Sequence, residues 1–170
     1  MKKLLVIAIF TAFSCHASGL SVGFSPEGSA RDVVLSAIDG AQRSIHMMAY
    51  SFTAPDIVRA LANARKRGVD VRIVVDEKGN KSRPSIAAMN YAVNNGIALR
   101  TDGDYKIQHD KVMIIDGDTV ETGSFNFTAS AEKYNSENAL VISGEPELAK
   151  RYEAHWADRW NRGTEYRSAY

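Results

Sequence analysis

"HDKVMIIDGDTVETGSFNFT", residues 109–128, decides how this chain reads. Its middle is a hairpin: the apolar run Val112 to Ile115, an Asp116-Gly117-Asp118 turn signal, and a second strand-like run before Gly123. Four polar side chains flank it: His109 and Lys111 at one end, Ser124 and Asn126 at the other. A buried strand has no use for them. Side chains alternate along a strand, so His109 and Lys111 share a face. If Gly117 and Asp118 form the turn, Lys111 faces Ser124 and His109 faces Asn126; if Asp116 and Gly117 form it, His109 faces Ser124. Either register gathers the four on one face. Gly123 leaves room there for a bulky ligand to approach the backbone. Asp116 stands about 5 residues, or ~16 Å, from Lys111 along an extended strand, which implies a structural turn role.

Outward from the hairpin, strand-like and helix-like segments alternate. Strands are expected at 20–25, 44–52, 69–76, 97–102 and 138–144, and helices at 28–41, 54–68, 85–96 and 145–163. Pro55 in the first turn and Gly68 past the end bracket the second helix. This order predicts a single α/β domain: a mixed, largely parallel β-sheet flanked by helices on both faces, with one antiparallel hairpin inserted. The exception is "DEKGNKSRPS" (76–85), a polar loop carrying Lys78, Lys81 and Arg83.

Imidazole titrates near neutrality and serves as nucleophile or proton carrier. Lysine supplies a compact positive charge, and Ser and Asn supply hydrogen-bond donors. Together the donors describe a cradle for a phosphate's non-bridging oxygens. No carboxylate pair or His/Cys cluster at metal-ligand spacing accompanies them, so the expected clamp is organic, with no metal and no cofactor.

The joint pattern is H-x-K-x4-D, then x6-G-S-x-N, at residues 109, 111, 116, 123, 124 and 126. It resembles the signature of the phospholipase D superfamily without a departure. "AYSFT" (49–53) and "NSENALVI" (135–142) also look like that family, and the likeness runs across nearly the whole chain. With one motif in a short chain, it is most similar to the small single-motif bacterial endonucleases of the superfamily. The resemblance implies a phospholipase D-like fold, His109 as the nucleophile of a covalent phosphohistidine, and Lys111, Ser124 and Asn126 as phosphate ligands. It also implies Glu137 as a carboxylate that orients His109 through its other ring nitrogen.

The chain has 170 residues and opens with "MKKLLVIAIFTAFSCHA". Lys2 and Lys3, an apolar core and a small-x-small end read as a signal peptide over 1–17, leaving one catalytic domain over 18–170 and a periplasmic or secreted protein. Removing it takes away the single cysteine, so no disulfide is expected. It also leaves 19 basic against 20 acidic residues, moving net charge from +1 to −1. Bulk charge therefore does not hold a polyanion; local patches must.

Displacement at phosphorus needs a nucleophile and an acid for the leaving oxygen, and one imidazole cannot be both at once. His46, in an apolar strand, and His155, beside Trp156 and Trp160, read as packed or capping residues. A two-fold homodimer that pairs His109 with its symmetry mate is the economical solution, and two coupled imidazoles predict a bell-shaped pH–rate profile. The expected substrate is DNA or RNA, without sequence preference, tracked by Arg65, Lys66, Arg67, Lys78, Lys81, Arg83 and Lys106. Against this, Arg65-Lys66-Arg67 also suits a plain helix end. Phe52, Tyr105 and Tyr134 are candidates for base stacking, with core packing as the default. The alternative is a phospholipase D or phosphatidyltransferase acting on phospholipid. It asks for an apolar groove or interfacial helix that the sequence does not offer, and no stable membrane association is expected.

Overall fold

Residues 70–76, "DVRIVVD", carry four β-branched side chains, all buried, and form strand β3 (Asp70–Asp76). Val71, Ile73 and Val75 point into one core and Val74 into another, so β3 is central and covered on both faces. The computed structural model describes residues 18–168; the expected signal peptide lies outside the described residues.

In chain order the elements are β1 (Gly19–Ser25), α1 (Ser29–Gly40), β2 (Ser44–Ala49), α2 (Pro55–Lys66) and β3. After a 3-10 turn at Lys78–Asn80 come α3 (Arg83–Asn94), β4 (Ala98–Asp102), β5 (Lys111–Ile115) and β6 (Thr119–Gly123). The chain closes with α4 (Ala129–Lys133), β7 (Glu137–Ser143), α5 (Pro146–Arg162) and β8 (Thr164–Glu165). The strands form one sheet in the order β1-β7-β6-β5-β2-β3-β4-β8. The expected mixed α/β sheet with helices on both faces is present, with one correction. Only β2–β3 and β3–β4 pair parallel, through crossover helices α2 and α3, and the other five ladders are antiparallel. The hairpin docks beside β2 and recruits β7 and β1, so antiparallel pairing outweighs parallel.

The larger core lies under α1, α2 and α3, with Ile38, Ile57, Leu61, Ile73, Met113 and Phe127 fully buried. The second lies under α5, where Trp156 packs on Met48, Val74, Val112 and Ile114. Trp156 Nε1 donates to the Met47 carbonyl at 3.2 Å. His46 stacks on Trp156 at 4.0 Å and its Nδ1 meets Glu153, the packed role read from sequence. α5 lies across β6, β5, β2, β3 and β4. The β1–β7 part of that face stays open, with Leu20, Val22 and Phe24 exposed at 76%, 56% and 53%. They sit opposite Ile142, Leu140 and Asn138. Among the described residues no helix is long and apolar enough to cross a membrane.

The β5–β6 ladder pairs Ile115 with Thr119 and Val112 with Thr122, which fits neither expected register. The turn holds three residues, Asp116 to Asp118, with Asp116 at φ 54° and Gly117 at φ 74°. Lys111 therefore falls opposite Gly123, not Ser124. Asp116 has the structural role expected of it. Its carboxylate accepts the main-chain N–H groups of Gln42, Arg43 and Ser44 at 2.9, 2.6 and 2.9 Å, and its carbonyl accepts from the Arg43 guanidinium. It pins the hairpin tip to the start of β2. Asp116→Ala is expected to cost about 2–4 kcal/mol, because three donors lose a charged acceptor. Urea unfolding should show this loss while kcat of the folded protein stays unchanged. A large fall in kcat at full folding would mean Asp116 has a chemical role instead.

Candidate active site

The site forms where β2 ends and β5 begins. The Tyr50 N–H donates to the Asp110 carbonyl at 2.9 Å, extending the β2–β5 contact past the ladder. Tyr50 therefore lies beside His109, its ring centroid 4.6 Å from the imidazole. The Lys111 ammonium stands 5.1 Å from the same ring and donates to the His109 carbonyl at 2.8 Å. The tilted ring contact, with the planes 55° apart, limits how the imidazole can turn, and a cation over the ring face is favourable. His109 itself is exposed, and Lys111 is buried. Burial pulls the Lys111 pKa below its usual value, while the negative charges of Asp110 and Glu137 oppose that shift.

β6 and β7 supply the rest. Past Gly123, the N–H groups of both Ser124 and Phe125 donate to the single Asn138 carbonyl, at 3.1 and 3.2 Å, as at a β-bulge. This explains Gly123 differently from the sequence reading: a Cβ there would run into the Asn138 carbonyl. The space is taken by β7, not kept for a ligand. The Ser124 hydroxyl accepts from Asn138 N–H at 3.0 Å and Asn138 Nδ2 at 3.3 Å, leaving its own proton to donate outward. Asn126 Oδ1 is shut from solvent and unpartnered among the described residues. Its amide N–H groups are thus the end that can serve a ligand.

Glu137 opens β7 and lies close enough to Lys111 to act on its charge. Its carboxylate accepts from Asn135 Nδ2 at 3.0 Å. Among the described residues it makes no hydrogen bond with His109, whose ring packs against Tyr50. Tyr50 and Asp110 were missed as site residues. Their only signals were the family-like "AYSFT" and a place between His109 and Lys111, and both need the β2–β5 pairing to acquire meaning.

The seven basic candidates divide between the two ends of the sheet. Arg65, Lys66 and Arg67 close α2 at the end where β2 starts, away from Tyr50. There Arg65 donates to the Gly96 and Val69 carbonyls and Arg67 to those of Ile38, Asp39 and Ala41. Arg65 and Arg67 thus tie α2 to its neighbours, while Lys66 is exposed. Lys78, Lys81, Arg83 and Lys106 lie at the carboxyl ends of the parallel strands, the end that carries Tyr50. Lys78 donates to the Tyr105 carbonyl, and Lys81 pairs with Glu77 at 3.2 Å. Of the aromatic candidates, Phe52 is buried, Tyr105 packs under the Arg159 guanidinium, and Tyr134 is 79% exposed. Among the described residues no group of three His, Cys, Asp or Glu side chains is placed to hold a metal ion.

The sequence family described as "Cardiolipin synthase, PLD-like domain" matches residues 34–160. A phospholipase D of Rickettsia conorii is 39% identical over 142 residues, 84% of this chain and 70% of that one. Among solved structures, Nuc, a phospholipase D family member from Salmonella typhimurium, is 65% identical. It superposes with a TM-score of 0.89, covering 89% of this chain and 100% of that one. NucT from Helicobacter pylori is 25% identical with a TM-score of 0.76, covering 88% and 100%.

Proposed function

The chain belongs to the phospholipase D family and is a phosphodiesterase of it, and from that premise we propose that it is a periplasmic or secreted endonuclease, without sequence preference, working as a homodimer. One observation carries the reading: the exposed imidazole of His109 packs against Tyr50 beside the buried Lys111, within the same motif that supplies the Ser124 and Asn126 donors. The His109 nitrogen attacks phosphorus while the His109 imidazolium of a second copy protonates the departing ester oxygen. One P–O bond breaks as a P–N bond forms. Water, deprotonated by the second imidazole, then replaces the histidine nitrogen. Lys111, Ser124 and Asn126 hold the non-bridging oxygens, so their charge is met by organic donors rather than a metal ion. The open β1–β7 face, with Leu20, Val22 and Phe24, is where the second copy docks. It is apolar and reaches the site directly, since Phe24 pairs with Asn138, which bonds Ser124.

The Rickettsia relative carries the name phospholipase D, and the same apolar face could meet lipid, so phospholipid hydrolysis is the second reading. Nicking of a supercoiled plasmid in excess EDTA, run beside head-group release from phosphatidylcholine and phosphatidylglycerol vesicles and a native-mass measurement, decides between them. The expected result is a dimer that nicks the plasmid with EDTA present and leaves vesicles intact. Lipid turnover with no nicking selects the rival, and a fully active monomer removes the shared site.

A further inference from the structure

Asp110, between the two residues that carry the chemistry, is held through both carboxylate oxygens and its carbonyl. Its Oδ1 lies 3.4 Å from His155 Nε2 on α5, and its Oδ2 accepts from Gln108 Nε2 at 3.2 Å. The Gln108 N–H is in turn fixed by buried Asp76 at 2.7 Å. The Asp110 carbonyl receives the Tyr50 N–H, and the Tyr50 ring lies against His109 and Lys111. A continuous path thus runs from the helix on one face of the sheet to the reactive imidazole at its end.

We propose that His155 is a positioning residue of the catalytic centre, holding Asp110 so that its main chain fixes Tyr50 and its carboxylate stands beside Lys111. The proposal rests on His109 and Lys111 being the reactive pair. A side chain that merely filled space on α5 would have no reason to meet the one carboxylate between them. The charged groups acting on Lys111 are Asp110 from its own segment and Glu137 from β7, with the Tyr50 ring facing it from β2. Both carboxylates favour the charged ammonium, so removing Asp110's charge lets Lys111 lose its proton at lower pH. The imidazole of His155 matters through the orientation it gives that carboxylate.

The test uses the full chain and bis-p-nitrophenyl phosphate, a small diester that needs no polymer contacts. His155→Ala is expected to lower kcat about 10-fold, the low end of what outer-shell partners contribute at metal sites, with KM within about twofold of wild type. His155→Gln, which keeps an N–H donor, recovers most of that loss. Asp110→Asn lowers kcat by at least as much as His155→Ala, again with KM near wild type. The double variant is no slower than Asp110→Asn alone, because both act through one group. Additive losses overturn the proposal, as does a His155→Gln variant that recovers nothing or a His155→Ala loss that merely follows its melting temperature. If His109→Ala is inactive while His155→Ala matches wild type, only the positioning role falls. If His109→Ala keeps full activity, the reading of the site falls with it.

Discussion

Refolded together with an equal amount of wild-type chain, His109→Ala is expected to leave about a quarter of the activity of the same total mass of wild-type protein, since a quarter of randomly paired dimers carry both imidazoles. Alone, the variant should lose kcat by on the order of 10⁴-fold or more, the scale seen when a nucleophile or its proton partner is removed. The mixture is the sharper experiment. A mixed dimer holds one His109, which can attack or protonate but not both, so it should be inactive. Independent sites would instead give half the activity. The initial rate of diester hydrolysis against mixing ratio reads this directly: a quadratic fall supports the shared centre, and a straight line refutes it. The shared centre also predicts the bell-shaped pH profile, because one ring must be neutral while its mate is charged.

The second large effect concerns Glu121 on β6. Its side chain is fully buried, and neither carboxylate oxygen has a partner among the described residues. Burial pushes its pKa from 4.5 up to about 8. A group whose pKa is raised on folding gives stability that is complete below its unfolded value and is lost as pH rises through the folded one. The protein should therefore weaken between about pH 4.5 and pH 8 by on the order of 5 kcal/mol at most, less whatever relaxation admits water. Glu121→Gln keeps the shape and removes the titration. Its urea midpoint should be close to wild type near pH 5 and clearly higher at pH 9. Equal pH slopes for the two proteins would show that Glu121 is already ionised in the fold.

Much of this was legible beforehand, for definite reasons. The β3 strand, α2 with Pro55 and Gly68, and the Trp156 helix all announce themselves by local periodicity and by start and stop signals. The hairpin did too, but its register did not: a three-residue turn slips the pairing by one, and only the left-handed backbone at Asp116 and Gly117 shows it. The parallel share of the sheet was overread because alternating strands and helices say nothing of where β1 inserts. In the site, His109, Lys111, Ser124 and Asn126 were visible as polar residues in an apolar hairpin. Tyr50, Asp110 and His155 were not, since each gains its role only from β2 lying beside β5 and α5 crossing them. Arg65 and Arg67 show the converse: a basic cluster looks alike whether it meets solvent, a polyanion or three carbonyls.

The placement of β1 bears on how the molecule is made. Gly19 pairs with Ser143, so the first strand synthesised waits for almost the last before it has anywhere to go. Until then the margin of the sheet at β7 stays unsealed. The same delay makes the last zipping step a long-range search, slow by the logic of contact order. It also leaves the outer backbone of β7 open to pairing with a neighbour.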